Sequence, residues 1–185
     1  MQITYHVMAS PLGLLFLAAS ERGLRFVDFI DRKSIKRMIA RHAKDVPDET
    51  TWSPSLLGMK PVVDQLDSYF CGTLTDFDLK LDMRPGTPFQ GSVWNALRQI
   101  PYAETRSYGQ IAKQIGQPRS ARAVGLANNS NPIPIIVPCH RVIGADGSLS
   151  GYGGGVQRKR TLLQLETRFG KLESVAGTQS GWRGN

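Results

Sequence analysis

The sequence lacks the features that would place it in several broad classes. It has 2 cysteines in 185 residues, too few for a disulfide framework, so a reducing, cytoplasmic setting is expected. His6, His42, His140, Cys71 and Cys139 show no CxxC, HxxxH or HExxH spacing, which argues against a zinc site. No metal and no cofactor is expected. Apolar runs such as Leu12 to Ala19 and Ile133 to Pro138 fall far below the roughly 20 residues that cross a bilayer, so no membrane helix is expected. The opening "MQITYHVMAS" has no basic stretch and alternates like a strand, unlike a secretory leader. Neither GxGxxG nor GxxxxGK[ST] is present, so a nucleotide-phosphate cradle is unsupported.

Acidic residues are scarce in one half only. Residues 1 to 85 carry 11 basic and 11 acidic side chains, whereas residues 86 to 170 carry 10 basic and 3 acidic. Nearly all of the net charge of +8 therefore lies in the second half. Such asymmetry suggests that this half meets a polyanion, although a solvated basic face would look the same. The remaining composition, 41% hydrophobic and 21% charged, is that of an ordinary globular protein.

The order of patterns predicts an α+β chain. "ITYHVMA", "GLLFLAA" and "GLRFVDF" are short apolar runs separated by the turn signals "SPLG" and "SERG", and they read as an antiparallel meander. Ile35, Met38 and Ile39 recur at helical spacing between Lys33 and Lys44; a second helix is expected from about Ser55 to Phe70, with Pro61 as a possible bend. "DFDLKLD" alternates with period two and should rejoin the sheet. Cys71, at the end of the second helix, should pack in the core. "MRPGTP" marks a boundary, giving expected domains at 1–85 and 86–170 and a flexible tail at 171–185. Thr87 and Pro88 then open a helix with Phe89, Val93, Trp94, Leu97 and Ile100 on one face. "SYGQIAKQIG" and "RSARAVGLANN" are two short helices joined by a turn, the outline of a helix-turn-helix. The second is thin: Ala121, Ala123, Gly125 and Ala127 accompany Arg119 and Arg122. Small side chains let a backbone approach DNA closely, and equally let it pack tightly on a neighbouring helix.

The segment "NPIPIIVPCHRVIG" at 131 to 144 carries the chemistry. Ile135 to Val137 is read as a short buried strand delivering Cys139, fixed by Pro138. His140 could take the thiol proton, making thiolate available at neutral pH. Glu166, on the helix "QRKRTLLQLE", is the candidate to orient the imidazole from a partly buried position. "SGYGGG" at 150 to 155 offers free amides to a substrate oxygen. From the residues alone, a cysteine nucleophile and a helix-turn-helix module that only binds DNA both stay open, while a cysteine hydrolase using Cys139 and His140 is disfavoured by the basic surroundings and by the lack of any sign of acyl-substrate recognition.

These motifs taken together, "FQGSVWNALRQIPYAETRSYGQIA", "SARAVGLANNSNP", "IPIIVPCHRVIG" and "GYGGGVQRKRTLLQLE", closely resemble the O6-alkylguanine-DNA alkyltransferases. The resemblance runs from about Thr87 to Glu166 and extends more weakly over the N-terminal half. It implies a ribonuclease-H-like sheet-plus-helix domain followed by a mostly helical, winged-helix-like domain with a helix-turn-helix. It also implies single-turnover repair of O6-alkylguanine in double-stranded DNA bound through the minor groove by a monomer; O4-alkylthymine as a second lesion and clustering on DNA stay open. By resemblance Cys139 accepts the alkyl group, His140 deprotonates it through a water, Glu166 holds the imidazole, and Asn131 orders the active-site turn. Tyr108 rotates the nucleotide out and donates to guanine N3; Arg122 fills the vacated stack, with Ala121 and Ala123 beside it on the minor-groove helix. The carbonyls of Cys139 and Val142 accept from the exocyclic amine, the Gly153 amide meets O6, Pro134 and Tyr152 line the pocket, and Lys159 supports it. Two positions depart from the family pattern: Gly153 stands where some relatives have serine, and Asn128 where some are apolar.

Overall fold

The computed structural model describes residues 1–30, 35–83 and 86–177, with side chains described as far as residue 170. The fold is mixed α and β, with an N-terminal sheet domain and a C-terminal helical domain. Strands β1 (Gln2–Ser10), β2 (Gly13–Ser20) and β3 (Gly23–Ile30) form the expected antiparallel meander. A short strand that the sequence patterns do not announce, β4 (Thr51–Pro54), joins β1 in parallel, giving the order β3-β2-β1-β4. Its four residues are too few to display an alternation.

Helix α1 (Ile35–His42) and helix α2 (Leu56–Phe70) cover the sheet. Ser55 caps α2 by accepting from the Gly58 N–H, and the helix continues through Pro61. Of two expectations for the end of this region, one fails and the other holds only as a single bridge. Cys71 is exposed, because α2 has ended and its last buried residues, Tyr69 and Phe70, have already turned the chain outward. "DFDLKLD" forms no regular strand; it touches the sheet at one bridge, Leu24 to Leu81, through Leu24 N–H to Lys80 O and Asp82 N–H to Leu24 O. Gly23 permits that approach: its φ is +133°, and a Cβ there would lie 2.3 Å from the Lys80 carbonyl oxygen. The segment is then pinned by a buried ion pair, Arg25 to Asp82 at 2.7 Å, rather than by a ladder.

Helix α3 (Pro88–Leu97) begins with a capping box in which Thr87 and Gln90 exchange hydrogen bonds. Ile100 lies just beyond the helix end but is still buried, so the apolar face outlasts the helix. Strand β5 (Arg106–Ser107) leads directly into α4 (Tyr108–Gln114), again capped by a box, Ser107 with Gln110. Helix α5 (Ala121–Asn129) follows and is held on α3 by the Trp94 indole donating to Ala127 O at 2.9 Å. Arg119 precedes the helix. Strand β6 (Val142–Ile143) pairs with β5, and α6 (Val156–Gly177) closes the domain. Residues 171–177 of the expected flexible tail thus continue α6, and the rest of that tail, residues 178–185, lies outside the described residues. Among the described residues, no helix is long and apolar enough to cross a membrane.

Candidate functional site

The stretch before Cys139 is not the expected strand. Residues 131–138 turn, with a single bridge between Pro134 and Val137, and Ile135 has a φ of 77°. A positive φ at a β-branched residue costs about 1–3 kcal/mol and survives only where neighbours over-determine it. Here three prolines flank it, and Asn131 fixes both sides of the turn: its Nδ2 donates to Val137 O at 2.8 Å, and its Oδ1 accepts from Ile133 N–H at 3.0 Å. Cys139 then opens a one-turn 3-10 helix, Cys139–Arg141, that delivers three buried side chains of different chemistry.

Glu166, expected to be partly buried, is fully enclosed. Its Oε1 lies 2.7 Å from His140 Nε2 and 2.7 Å from the Tyr69 hydroxyl, which donates to it. Arg141 donates to the carboxylate from Nε and one terminal nitrogen, at 3.0 Å each for the shortest pairs, and spends the other terminal nitrogen on Ile100 O. The Ala103 N–H adds a bond to Oε2 at 3.1 Å, from a residue with φ 59°. Burial by itself would raise the pKa of Glu166, but the hydrogen bond from His140, the charge that ring carries once protonated in acid, and then Arg141 overturn this and hold the carboxyl at about 2. An ionised carboxylate only accepts, so His140 carries its proton on Nε2. Burial, aided by Arg141 and Lys159 and opposed by Glu166, lowers the imidazole pKa. The ring is therefore neutral near pH 7, and Nδ1, without a hydrogen-bond partner among the described residues, is left as a base.

The thiol is not an available thiolate in the resting protein. Burial pushes Cys139 up to about 11, outweighing a hydrogen bond from Asn131 and the nearby charge of Lys159. At pH 7 the free thiolate would be about one molecule in ten thousand, a cost of about 5 kcal/mol. Lys159, also buried, is lowered by desolvation to about 8. Its ammonium donates to Val142 O, to Ser150 O at 2.6 Å, and at 3.5 Å to the Tyr108 hydroxyl. The Tyr108 hydroxyl in turn donates to Ser150 O at 2.8 Å.

Two openings flank this centre. A cavity of about 230 Å³ is walled by Cys139, Pro134, Gly153, Asn128 and Asn131 on one side and by Phe26, Asp28, Phe29, Arg41 and His42 of the N-terminal domain on the other. A broader groove of about 590 Å³ is lined by Tyr108, Ala121, Arg122, Gly125, Leu126, Ser150 and Gly151, and Asn129 lines both. Of the expected pocket residues, Pro134 and Gly153 reach the cavity wall with Cys139. Val142, Tyr152 and Lys159 do not; they are buried behind it. Ala123 and Arg122 are exposed on α5, and Arg122 makes no ion pair among the described residues. At Gly153 a Cβ would stand 3.1 Å from Asn129 O, so a serine there would press on the helix end.

Sequence reasoning missed three members of this set. Arg141 is adjacent to His140 in "PCHRV" and its proximity was the available signal. Tyr69 reads only as one more apolar helix position, and nothing local marks Ala103.

Two family models match the chain. The ribonuclease-like domain of 6-O-methylguanine DNA methyltransferase matches residues 3–83, and the DNA binding domain of 6-O-methylguanine DNA methyltransferase matches residues 88–168. A methylated-DNA–protein-cysteine methyltransferase of Mycolicibacterium paratuberculosis is 51% identical over 166 residues, covering 90% of this chain and 93% of the relative. One from Methanosarcina acetivorans is 51% identical over 162 residues, covering 88% and 97%. Among solved structures, Mycobacterium tuberculosis OGT in complex with DNA is similar at a TM-score of 0.76 and 49% identity, covering 91% of this chain and 94% of its own. The Mycobacterium tuberculosis O6-methylguanine methyltransferase is similar at 0.77 and 50% identity, covering 90% and 93%.

Proposed function

This chain belongs to the 6-O-methylguanine DNA methyltransferase family, and from that premise we propose that Cys139 is the residue that takes the alkyl group. The protein repairs DNA by transferring an alkyl group from a damaged base to a cysteine. In our reading the Cys139 sulphur attacks the alkyl carbon in line with the breaking carbon–oxygen bond. The thiol proton passes through a water to His140 Nδ1, and the electron pair of the broken bond stays on the base. A hydrogen bond from Tyr108 to guanine N3 stabilises that charge once the hydroxyl lets go of Ser150 O. The product is a thioether, which the site has no means to cleave, so each molecule reacts once.

The observation that carries this reading is the His140–Glu166 pair at 2.7 Å, with Nδ1 unpartnered among the described residues and the imidazole neutral. A thiol held up at about 11 needs a base at the moment of attack, and a protein that only bound DNA would have no use for one. The target atom of a stacked base cannot reach a buried sulphur, so the nucleotide must be rotated out at a cost of a few kcal/mol. We assign the compensating wedge to Arg122, exposed on the thin α5 face with no ion pair among the described residues, with Ala121 and Ala123 allowing close approach to the minor groove. Pro134 and Gly153 wall the receiving pocket, and Asn131 holds the turn that aims Cys139. Lys159, Val142 and Tyr152 act from behind the wall. We further place the protein in the reducing cytoplasm as a monomer.

The test is direct. After mixing with duplex DNA carrying O6-methylguanine, peptide mass spectrometry should find one methyl group on Cys139 and an equal amount of repaired guanine; an unmodified Cys139 after complete mixing would reject the reading.

A further inference from the structure

Arg158 stands in the first turn of α6, where a cation opposes the helix dipole. What its half-buried guanidinium meets lies in three other places. Nε donates to Leu12 O at 3.0 Å, one terminal nitrogen donates to Gly154 O at 3.0 Å, and the charge lies over the Phe29 ring, 4.4 Å from its centroid. Leu12 belongs to the turn between β1 and β2, which the Ser10 hydroxyl tightens by donating to Gly13 O and accepting from the Leu12 N–H. Phe29 belongs to β3 and walls the cavity at Cys139 together with Gly153 and Gly154. One side chain of the C-terminal domain thus ties the glycine-rich loop to two points of the N-terminal sheet.

We infer that Arg158 is a positioning residue for alkyl transfer, a latch through which the N-terminal sheet fixes where Gly153 stands against Cys139. The inference rests on the alkyl-transfer reading above and deepens it. Gly153, Gly154 and Gly155 are consecutive, and glycine loses more freedom on ordering than any other residue. Before Gly153 the loop is held from within its own domain, Ser150 O by Tyr108 and Lys159 and Gly151 O by Asn128. After it, the side-chain bond to the loop is the one from Arg158 to Gly154 O. Glycine is required at 154 as well: a Cβ there would lie 2.5 Å from the Phe29 ring and 2.7 Å from the Tyr152 ring, so the backbone is pressed onto the same ring that the guanidinium covers. The planar fork holds two carbonyls, one from each domain, at a fixed separation, which the single nitrogen of a lysine does not reproduce. Displacement at a buried sulphur needs the substrate held closely in line, and a shift of about 1 Å in what positions it is costly. Arg158 acts through Gly154 and touches none of the reacting atoms. By this latch the electrically neutral half of the chain takes part in a reaction carried out in the other half.

The experiment follows single-turnover methyl transfer from duplex DNA carrying O6-methylguanine at increasing DNA concentration, together with hydrogen exchange of the amides of residues 150–155 in the DNA-free protein. Arg158→Met keeps an apolar stem but removes both donors. Its rate at saturating DNA should fall about tenfold, the DNA concentration for half-saturation should stay within about threefold, and the loop amides should exchange about tenfold faster. Arg158→Lys keeps the charge but not the fork, and should stay slow by about threefold or more. A merely structural role would lower the thermal midpoint and leave the saturating rate of Arg158→Met within about threefold of the unmodified protein, which overturns the inference. A slowed rate with unmoved loop exchange overturns it too, as does a loss confined to half-saturation, which would make Arg158 a phosphate contact. Should Arg158→Met fail to fold, Arg158→Lys decides: a rate within about threefold of the unmodified protein overturns the latch, and a larger loss with faster loop exchange supports it. No methyl transfer by the unmodified protein would overturn the alkyl-transfer reading itself and the inference with it.

Discussion

The carboxylate of Glu166 and the guanidinium of Arg122 sit in the same basic domain under opposite conditions. Glu166 is fully buried and meets His140, Tyr69, Arg141 and the Ala103 N–H. Arg122 stands exposed on α5 with no ion pair among the described residues, beside alanines, a glycine and the exposed Leu126. The first arrangement suits chemistry that must be ready before substrate arrives, because charges fixed inside the protein need not reorganise during reaction. The second suits a contact made only with DNA, since an unpaired surface cation loses no internal partner on binding. Substitutions at the two should therefore fail in different ways.

The largest effect is expected at Glu166. Glu166→Gln keeps the shape but leaves the buried Arg141 without its counter-charge, a change that costs about 3–5 kcal/mol. It also frees His140 to adopt the wrong tautomer, so alkyl transfer should fall by about a hundredfold or more. Denaturant melts and single-turnover rates measure the two losses, while DNA affinity should stay close to that of the unmodified protein. A fall in affinity as large as the fall in rate would erase the contrast between the two regions.

Changing pH probes the same enclosure without mutation. Glu166 has its folded pKa depressed to about 2 from 4.5; its contribution, about 3 kcal/mol, is complete above 4.5 and is lost as pH falls toward 2. His140 is also depressed, from 6.5, so its share is complete above 6.5 and is lost on acidification too. Thermal midpoints should fall on the acid side, and less steeply in Glu166→Gln. The rate responds differently. If the thiol, held at about 11, gives its proton to a neutral His140, transfer should not rise from about pH 7 to about pH 9, because the only site group that titrates there among those shifted, Lys159 at about 8, loses a charge that favours thiolate rather than supplying any. Reaction through free thiolate would instead rise about tenfold per unit, and single-turnover rates across that range decide between them.

Arg122 should show the complementary pattern. Arg122→Ala is expected to slow repair in duplex DNA by about ten- to a hundredfold, the scale of an unassisted base rotation. Reaction with a free alkylated base, which needs no rotation, should be unchanged, as should the melting temperature. Equal losses on both substrates would move Arg122 from the DNA face into the chemistry.

How much of this the sequence made legible differs between the regions in the same way. The exposed face is local: Arg122 and its small neighbours lie within nine residues of one helix, and the helix-turn-helix outline with its capping signals is written in consecutive positions. Cys139 and His140 are likewise adjacent, and Glu166 was found because acidic residues are rare nearby. The enclosure of Glu166 is not local. Tyr69 is 97 residues away on a helix whose pattern announces only burial, and Ala103 contributes a backbone N–H that no side chain advertises. The strand expected before Cys139 failed for a related reason. An apolar run between prolines has no periodicity to separate strand from turn, and the turn is imposed by Asn131. The high pKa of the thiol could not be read from a neighbouring histidine, because it depends on how much water the fold excludes.

The smallest expected effect falls at Tyr69, where the enclosure depends on the other domain. Its hydroxyl reaches from α2 to Glu166 Oε1 at 2.7 Å, a point the carboxylate shares with His140 and Arg141. Tyr69→Phe keeps the ring and its packing against Phe70, Phe77 and Tyr102, so only one hydrogen bond is lost. A bond to a charged acceptor is worth about 1.5–3 kcal/mol, and the lower end applies because the carboxylate keeps its other donors. The thermal midpoint should drop by about 3–6 °C, with the transfer rate changed less than about threefold because the His140–Glu166 pair remains. An unchanged midpoint would mean that this hydroxyl does not tie the N-terminal domain to the site. A rate loss matching that of Glu166→Gln would place Tyr69 within the proton path and extend the chemistry across both domains.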